Sequence, residues 1–341
     1  MKWVWFFFCG MFFVCASFVY INETENLLPK EFPKPEYDFA KNPISASKIE
    51  LGRALFYDPI LSIDNTISCA SCHSQYSAFT HVDHNLSHGI QDRIGFRNSP
   101  ALMNLAWQKS FMRDGAVNHL DMQALAPISN PDEMGEDIQH VVEKLQLSQI
   151  YSPLFENTFG DNVITGERVL KALSQFMLTL VSNNAKYDSV MRKEAVFTEK
   201  ENKGYAVFKK NCNACHTEPL FTNDAFVNNG LDVDAELKDY GRFRVTQNAQ
   251  DSFKFRVPTL RNIEFSYPYM HDGRFKKLNQ VINHYTSPKT NSTTLDSRLA
   301  NPMQLTSEER VELKAFLLTL TDKHFLFDTR FSYPKHIFGV K

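Results

Sequence analysis

Two pentapeptides carry the chemistry of this chain: Cys69-Ala-Ser-Cys72-His73 and Cys212-Asn-Ala-Cys215-His216. On one helical turn, residues i, i+3 and i+4 share a face, so each segment presents two thiols and an imidazole together. Two thiols at that spacing suit thioether bonds to the two vinyl groups of a haem, and the His that follows suits the proximal position on its iron. Of the 6 cysteines, Cys9 and Cys15 lie in an apolar leader and the other four are all in these segments. None is left for a disulfide outside them, although an exported chain usually spends cysteines that way. The competing reading is a zinc site made from two C-x-x-C pairs. It uses neither His and requires the pairs to meet in space, so the expected cofactors are two covalently bound haem c groups.

The elements that position these segments read as helices. Ser47-Lys-Ile-Glu50 has the form of a capping box ahead of Leu51, Ala54 and Leu55. Ile138, Val141, Val142 and Leu145 follow helical spacing, as do Val169, Leu170, Leu173, Phe176, Met177 and Leu180. Thr198-Glu-Lys-Glu201 caps a helix running to Phe208, and Thr306-Ser-Glu-Glu309 caps a last one through Leu320. Long period-2 runs are absent. The fold class expected is mainly α: two cytochrome c-like haem domains with long functional loops at 74–100, 217–270 and 286–305. A polar stretch, 183–198, is the expected seam. The division read from the sequence is a leader at 1–21, a lead segment at 22–42, a first haem domain at 43–190 and a second at 191–341.

Lys2 followed by an apolar run from Trp3 to Ile21 is the pattern of an export signal, with Val14-Cys15-Ala16 offering small residues for cleavage. At about 19 residues the run is also long enough to stay as a membrane anchor. Covalent c-type haem is attached outside the cytoplasmic membrane, so a periplasmic location agrees with the leader. Net charge is −2, which supplies no basic field for nucleic acid, and 29 Phe suggest aromatic cores or a large apolar cofactor to pack against.

Further segments resemble the bacterial dihaem cytochrome c peroxidase family, which includes the MauG-type enzymes, over about residues 43–322. They are Leu51-Gly-Arg-Ala-Leu-Phe-Tyr-Asp58, Arg97-Asn-Ser-Pro100, Asp114-Gly115, Gln123-Ala-Leu-Ala-Pro127 and Pro131-Asp-Glu-Met-Gly135. In the second half they are Val257-Pro-Thr-Leu-Arg-Asn262, Pro268-Tyr-Met-His-Asp-Gly-Arg274 and His284-Tyr285.

The resemblance implies a division of labour. The haem on His73 is peroxidatic, and the haem on His216 accepts or stores electrons. Gln123 and Glu133 stand at the distal-pocket positions, where a carboxylate can move a proton between the peroxide oxygens, and Pro127 shapes that pocket. Many members carry a capping His after a Ser-x-Gly element. Here Ser87-His88-Gly89 is followed by Ile90, so a five-coordinate peroxidatic haem is expected, with His81, His84 and His88 as nearby competitors. The far ligand of the second haem is Met in one branch of the family and Tyr in MauG-type members. Counting from His271 gives Tyr285, with Met303 as runner-up and Met270, Met112 and Met122 as packing residues. The alternative for Tyr285 is a helix-packed Tyr with a hydrogen-bonded hydroxyl.

One position departs from the family. Arg113 stands directly before Asp114-Gly115, where a Trp usually relays electrons between the haems. Arg113 could hold haem propionates, or Trp107 could take over the relay. The resemblance also implies a Ca²⁺ between the halves, on the side chain of Asn98 and the carbonyls of Ser266 and Pro268, with His271 in the same region. Three functions follow. One is reduction of hydrogen peroxide with electrons from a small periplasmic cytochrome c or cupredoxin. The second is a MauG-type oxidase acting on a protein side chain, and the third is plain electron carriage. Some family members are dimers, which makes a homodimer an expectation here.

Overall fold

The computed structural model describes residues 27–290 and 292–339; the leader lies outside them. The described chain is mostly helical. The longer helices are α1 (Ala46–Tyr57), α2 (Ile138–Leu147), α3 (Tyr151–Phe159), α4 (Gly166–Thr179), α5 (Lys186–Met191), α6 (Glu199–Asn211), α7 (Leu278–Thr286) and α8 (Ser307–Leu318). A two-stranded antiparallel ribbon pairs β1 (Phe226–Val227) with β2 (Phe255–Arg256). No helix of the described residues is long and apolar enough to cross a membrane.

The helices at 138–147 and 166–179 form where the apolar spacing places them, and Thr198 and Thr306 each close a capping box with Glu201 and Glu309. Ser47-Lys-Ile-Glu50 is not a capping box. Helix α1 begins two residues earlier, after Ser45, and the Glu50 carboxylate accepts instead from Arg53 at 2.7 Å. A tertiary contact sets that start. The buried Gln175 amide accepts from the Ser45 N–H and donates to the Asn42 carbonyl at 2.7 Å, so the turn is fixed by α4 rather than locally.

Two apolar clusters form the core. The first contains α1, α2, α3 and α4, with Leu51, Leu55, Phe56, Phe79, Val141, Phe155, Leu173 and Phe176 all buried. The second joins α5, α6, α7 and α8 through Tyr187, Phe208, Phe221, Ile282, Leu313 and Phe316. The clusters correct the division read from the sequence in two places. Helix α5, expected in the first half, buries Tyr187 in the second cluster, so the change-over falls before residue 187. The C-terminal segment returns to the first half, where Phe325, Leu326 and Phe331 are buried. These aromatic residues needed an apolar surface, and Phe79 offered it at 5.7 Å from Phe325.

A buried polar network ties the halves together. Asn104 exchanges hydrogen bonds with the Ser182 backbone, Asn262 donates to Ser182 Oγ at 3.0 Å, and the Asp322 N–H donates to Asn262 Oδ1 at 2.7 Å. Arg261, fully buried, makes a bidentate pair with Asp188 at 2.8 and 2.9 Å and donates to the Pro219 carbonyl. Arg97 bridges Asp114 and Asp239 at 2.6 Å each. Satisfying every partner in this way is what makes buried charge tolerable.

Candidate haem sites

Each pentapeptide follows a helix of its own cluster. In the first, Cys69–Cys72 forms one helical turn behind Ser68, whose N–H donates to Ser71 Oγ at 3.1 Å. His73 Nδ1 donates to the Phe79 carbonyl at 2.7 Å. That bond fixes the tautomer and leaves Nε2 with a free lone pair, as an iron ligand requires. Burial pushes the imidazole pKa down to about 4, so the ring is neutral near pH 7. In the second, His216 Nδ1 faces the carbonyls of Phe221 and Pro258 at 3.2 and 3.1 Å, and burial again lowers its pKa to about 4. Phe79 and Phe221 share an unusual backbone. Their φ values are +58° and +54°, left-handed conformations that cost a bulky residue of order 1 kcal/mol and turn each carbonyl back to its His.

No disulfide joins the four cysteines to one another. Burial lifts Cys69 and Cys212 to about 12 and Cys72 to about 11. Among the described residues no three His, Cys, Asp or Glu side chains converge on a point that could hold a metal. The two C-x-x-C pairs therefore do not make the thiolate cage that zinc needs. They fit haem: a mostly apolar cavity is lined by Cys69, Cys72, His73, Phe56, Leu102 and Met177.

The same cavity brings together Gln123, Pro127 and Glu133, although they are distant in sequence from His73. Glu133 lies in the turn after a short helix at Leu125–Ser129, and its carboxylate accepts from Asn130 Nδ2 at 2.9 Å. Burial raises its pKa; the Asn130 bond opposes that in part. Gln123 donates weakly to Met112 Sδ at 3.8 Å, so its amide can turn toward a better acceptor. His88 also lines the cavity, at its rim. Its carbonyl is 3.4 Å from Cys72 Sγ, and its ring stacks on His84 at 4.1 Å. The Ile90 N–H is held by the Glu133 carbonyl at 2.8 Å, and a Cβ on Gly89 would lie 2.2 Å from the Asp132 carbonyl oxygen. Only a glycine permits that approach, which draws the Ser87-His88-Gly89 turn against the carboxylate loop.

Tyr285, on α7, is half-buried beside the second pentapeptide, close to Cys212 and Cys215. Burial pushes the phenol pKa up, and a hydrogen bond from Asn229 Nδ2 at 3.4 Å opposes the shift. Asn229 also approaches Met270 Sδ at 3.6 Å, and its carbonyl accepts from His284 Nε2 at 3.1 Å. The second motif His284-Tyr285 thus grips one residue, Asn229, that the sequence did not single out. Met303 touches Tyr285 through its backbone, its N–H donating to the Tyr285 carbonyl at 3.0 Å.

Arg113 lies beside the first site, near His73. Its Nη2 donates to Asn98 Oδ1 at 3.0 Å and its Nε approaches the Asn98 carbonyl at 3.3 Å. Asn98, 2% exposed, also donates from Nδ2 to the Asn85 carbonyl and from its backbone N–H to the His271 carbonyl. The His271 ring stacks on Phe255 at 3.8 Å. The expected calcium set does not fit this arrangement, because its side-chain oxygen is already the acceptor of a guanidinium. Trp107 is buried with its indole N–H on the Pro33 carbonyl, in the first core, where it supports the lead segment.

Comparison with known proteins identifies the family. Residues 46–196 match a family described as di-haem cytochrome c peroxidase. The chain is 35% identical to the methylamine utilization protein MauG of Methylorubrum extorquens, over 86% of this chain and 82% of that one. It is 33% identical to the cytochrome c551 peroxidase of Nitrosomonas europaea, over 83% and 82%. A solved structure of a MauG-like protein associated with microbial copper homeostasis superposes with a TM-score of 0.80 at 31% identity, covering 90% of this chain and 98% of the other. The diheme peroxidase BthA of Burkholderia thailandensis shares the fold, with a TM-score of 0.72. With both haem segments in place and homology across most of its length, the chain belongs to the di-haem cytochrome c peroxidase family and carries two c-type haems.

Proposed function

We propose that the chain is a periplasmic peroxidase that reduces hydrogen peroxide to two waters, using two protons and two electrons from a small cytochrome c or cupredoxin. The observation that carries the reading is Glu133. Its carboxyl group faces the same apolar cavity as Cys69, Cys72 and His73, with its pKa raised by burial. The haem held there supplies, when bound, the redox-active iron at which peroxide is reduced. Glu133 takes the proton of one peroxide oxygen and returns it to the other, which leaves as water. A pKa raised toward working pH makes one carboxyl group able both to accept and to donate. Gln123 supplies an amide N–H to orient peroxide, Pro127 lines the same space, and His73 is kept neutral and aimed by the Phe79 carbonyl. His88 also lines this cavity, with its ring stacked on His84.

The test is oxidation of a reduced cytochrome c on addition of hydrogen peroxide. Steady turnover by the parent protein, lost in Glu133→Gln, bears the reading out. No turnover with either a cytochrome or a cupredoxin donor removes it. EPR of the ferric protein adds a check: one high-spin and one low-spin signal are expected, and two low-spin signals contradict an open position.

A second reading, a MauG-type oxidase acting on a protein side chain, is favoured by Tyr285. Its hydroxyl lies near Cys212 and Cys215, where it would hold the second iron, and an anionic oxygen ligand would stabilise higher oxidation states than a thioether does. Peroxide consumption that needs no external reductant but requires a partner protein would select this reading over the first.

A further inference from the structure

The family's calcium position and this chain's Arg113 compete for one oxygen atom, Asn98 Oδ1. Ca²⁺ takes about six to eight oxygens at about 2.3–2.6 Å and is held best where carboxylates contribute. The set available here, Asn98 Oδ1 with the carbonyls of Ser266 and Pro268, is neutral. Its side-chain member is spent, since Arg113 Nη2 donates to Asn98 Oδ1 at 3.0 Å while Nε approaches the carbonyl of the same residue. A divalent ion on Asn98 Oδ1 would sit against that guanidinium with no anion between them.

The nearby carboxylates are committed elsewhere. Asp114 and Asp239 pair with Arg97, Asp224 with Arg256, and Asp272 with Arg274. Burial depresses the basicity of Arg113, and the positive charges of Arg256 and Arg97 add to that effect. The backbone locks Arg113 in place, because its carbonyl accepts from the Arg256 N–H at 2.8 Å. The asparagine is equally fixed, by His271 on one side and Asn85 on the other.

We propose that this chain binds no calcium between its halves, and that the Arg113 guanidinium is the cation of the inter-haem region. A covalently built charge replaces an exchangeable one. The guanidinium holds Asn98, whose N–H reaches the His271 carbonyl, while the Arg113 carbonyl holds the Arg256 N–H, so the residue links the two halves through both its ends. Its five donors suit the oxygens that a metal would otherwise gather.

The experiment measures metal content and spectra, and so stands apart from peroxide turnover. Holoprotein purified with calcium in every buffer, then dialysed, is analysed for calcium by mass spectrometry. Its EPR and visible spectra are recorded before and after EGTA. Calcium far below one atom per chain is expected, with spectra unmoved by EGTA or by calcium returned in excess. One calcium per chain, or an EPR change on chelation reversed by calcium, overturns the proposal. Arg113→Ala frees Asn98 Oδ1 and should take up one Ca²⁺ per chain, with a calcium-dependent shift in the haem spectra. A folded, haem-loaded Arg113→Ala that still binds none shows that Arg113 is not what excludes the ion. Should the variant fail to fold, the calcium content of the parent protein decides alone.

Discussion

In the first half, Gly52 of α1 lies so close to α4 that a Cβ would be 1.9 Å from the Ala172 carbonyl oxygen and 3.1 Å from Phe176 Cβ. In the second, Gly204 of α6 meets α8 in the same way, 1.9 Å from the Glu312 oxygen and 3.0 Å from Phe316 Cβ. Four residues on from each glycine stands a phenylalanine. Phe56 packs on Phe176 at 5.1 Å and Phe79 at 6.0 Å; Phe208 packs on Phe316 at 5.0 Å and Phe221 at 5.4 Å. Phe79 and Phe221 then hand their carbonyls to the two histidines. The frame behind each imidazole is one design used twice. What lies beside each pentapeptide differs: Gln123 and Glu133 at the first, Tyr285 with Asn229 at the second. The comparison teaches that the frame fixes a neutral, aimed His, while the far side decides whether the iron meets peroxide or a protein ligand.

The largest expected break in that comparison is at Glu133. Replacing it with Gln should lower kcat/KM for peroxide by about 10²–10⁴-fold, while both EPR signals persist, because no part of the shared frame changes. The pH profile sharpens the point. Burial raises the Glu133 pKa above the ordinary carboxylate value, and its proton-accepting form is lost as pH falls through that raised value. The acid limb of kcat/KM in the parent protein should therefore lie at higher pH than for an exposed Glu, and should vanish in Glu133→Gln. A limb that stays in place would assign it to another group.

Next comes the second half's own clamp. Arg261 is 0% exposed and bound to Asp188 and the Pro219 carbonyl. Asp188→Asn should cost about 3–5 kcal/mol, the usual penalty for stranding one member of a buried pair. Denaturant unfolding should show the loss, and the low-spin haem signal should broaden before the high-spin one. A loss below about 1 kcal/mol would mean that the pair is solvated in solution.

The glycines test the duplication itself. Gly52→Ala and Gly204→Ala should each destabilise by about 1–3 kcal/mol by forcing the helices apart. Each should disturb the spectrum of its own haem and leave the other unchanged. Equal disturbance of both haems by either change would show that the two frames are not independent.

Much of this was legible in the sequence, for physical reasons. The thiol and imidazole spacing, the Thr198 and Thr306 caps and the apolar periods are local, and local signals survive folding. The distal residues were legible only through resemblance, because Glu133 in a loop carries no mark of burial until Asn130 and the cavity are seen around it. Ser47 misled, since the start of α1 is set by Gln175 from a distant helix. The duplication itself was written in Gly52-Arg-Ala-Leu-Phe56 and Gly204-Tyr-Ala-Val-Phe208, a shared G-x-A-x-F ahead of each haem segment. Asn229 had no signal: it is a polar residue in a long loop whose role depends on where α7 packs.

The smallest expected effect lies at that residue. Asn229 Nδ2 donates to the Tyr285 hydroxyl, and a hydrogen bond to the charged form of a phenol favours that form. Removing the donor with Asn229→Leu should weaken Tyr285 as an anionic ligand by about 1 kcal/mol, the ordinary worth of one such bond. The low-spin EPR signal should shift, the midpoint potential of that haem should rise, and the high-spin signal should stay where it is. Tyr285→Phe should produce a larger change in the same signal, and Asn229→Leu on that background should add nothing further, because the donor would have lost its acceptor. If Asn229→Leu moves the spectrum as much on the Tyr285→Phe background as in the parent protein, then Asn229 acts through Met270, its other neighbour at 3.6 Å, and the sulfur is the group to follow.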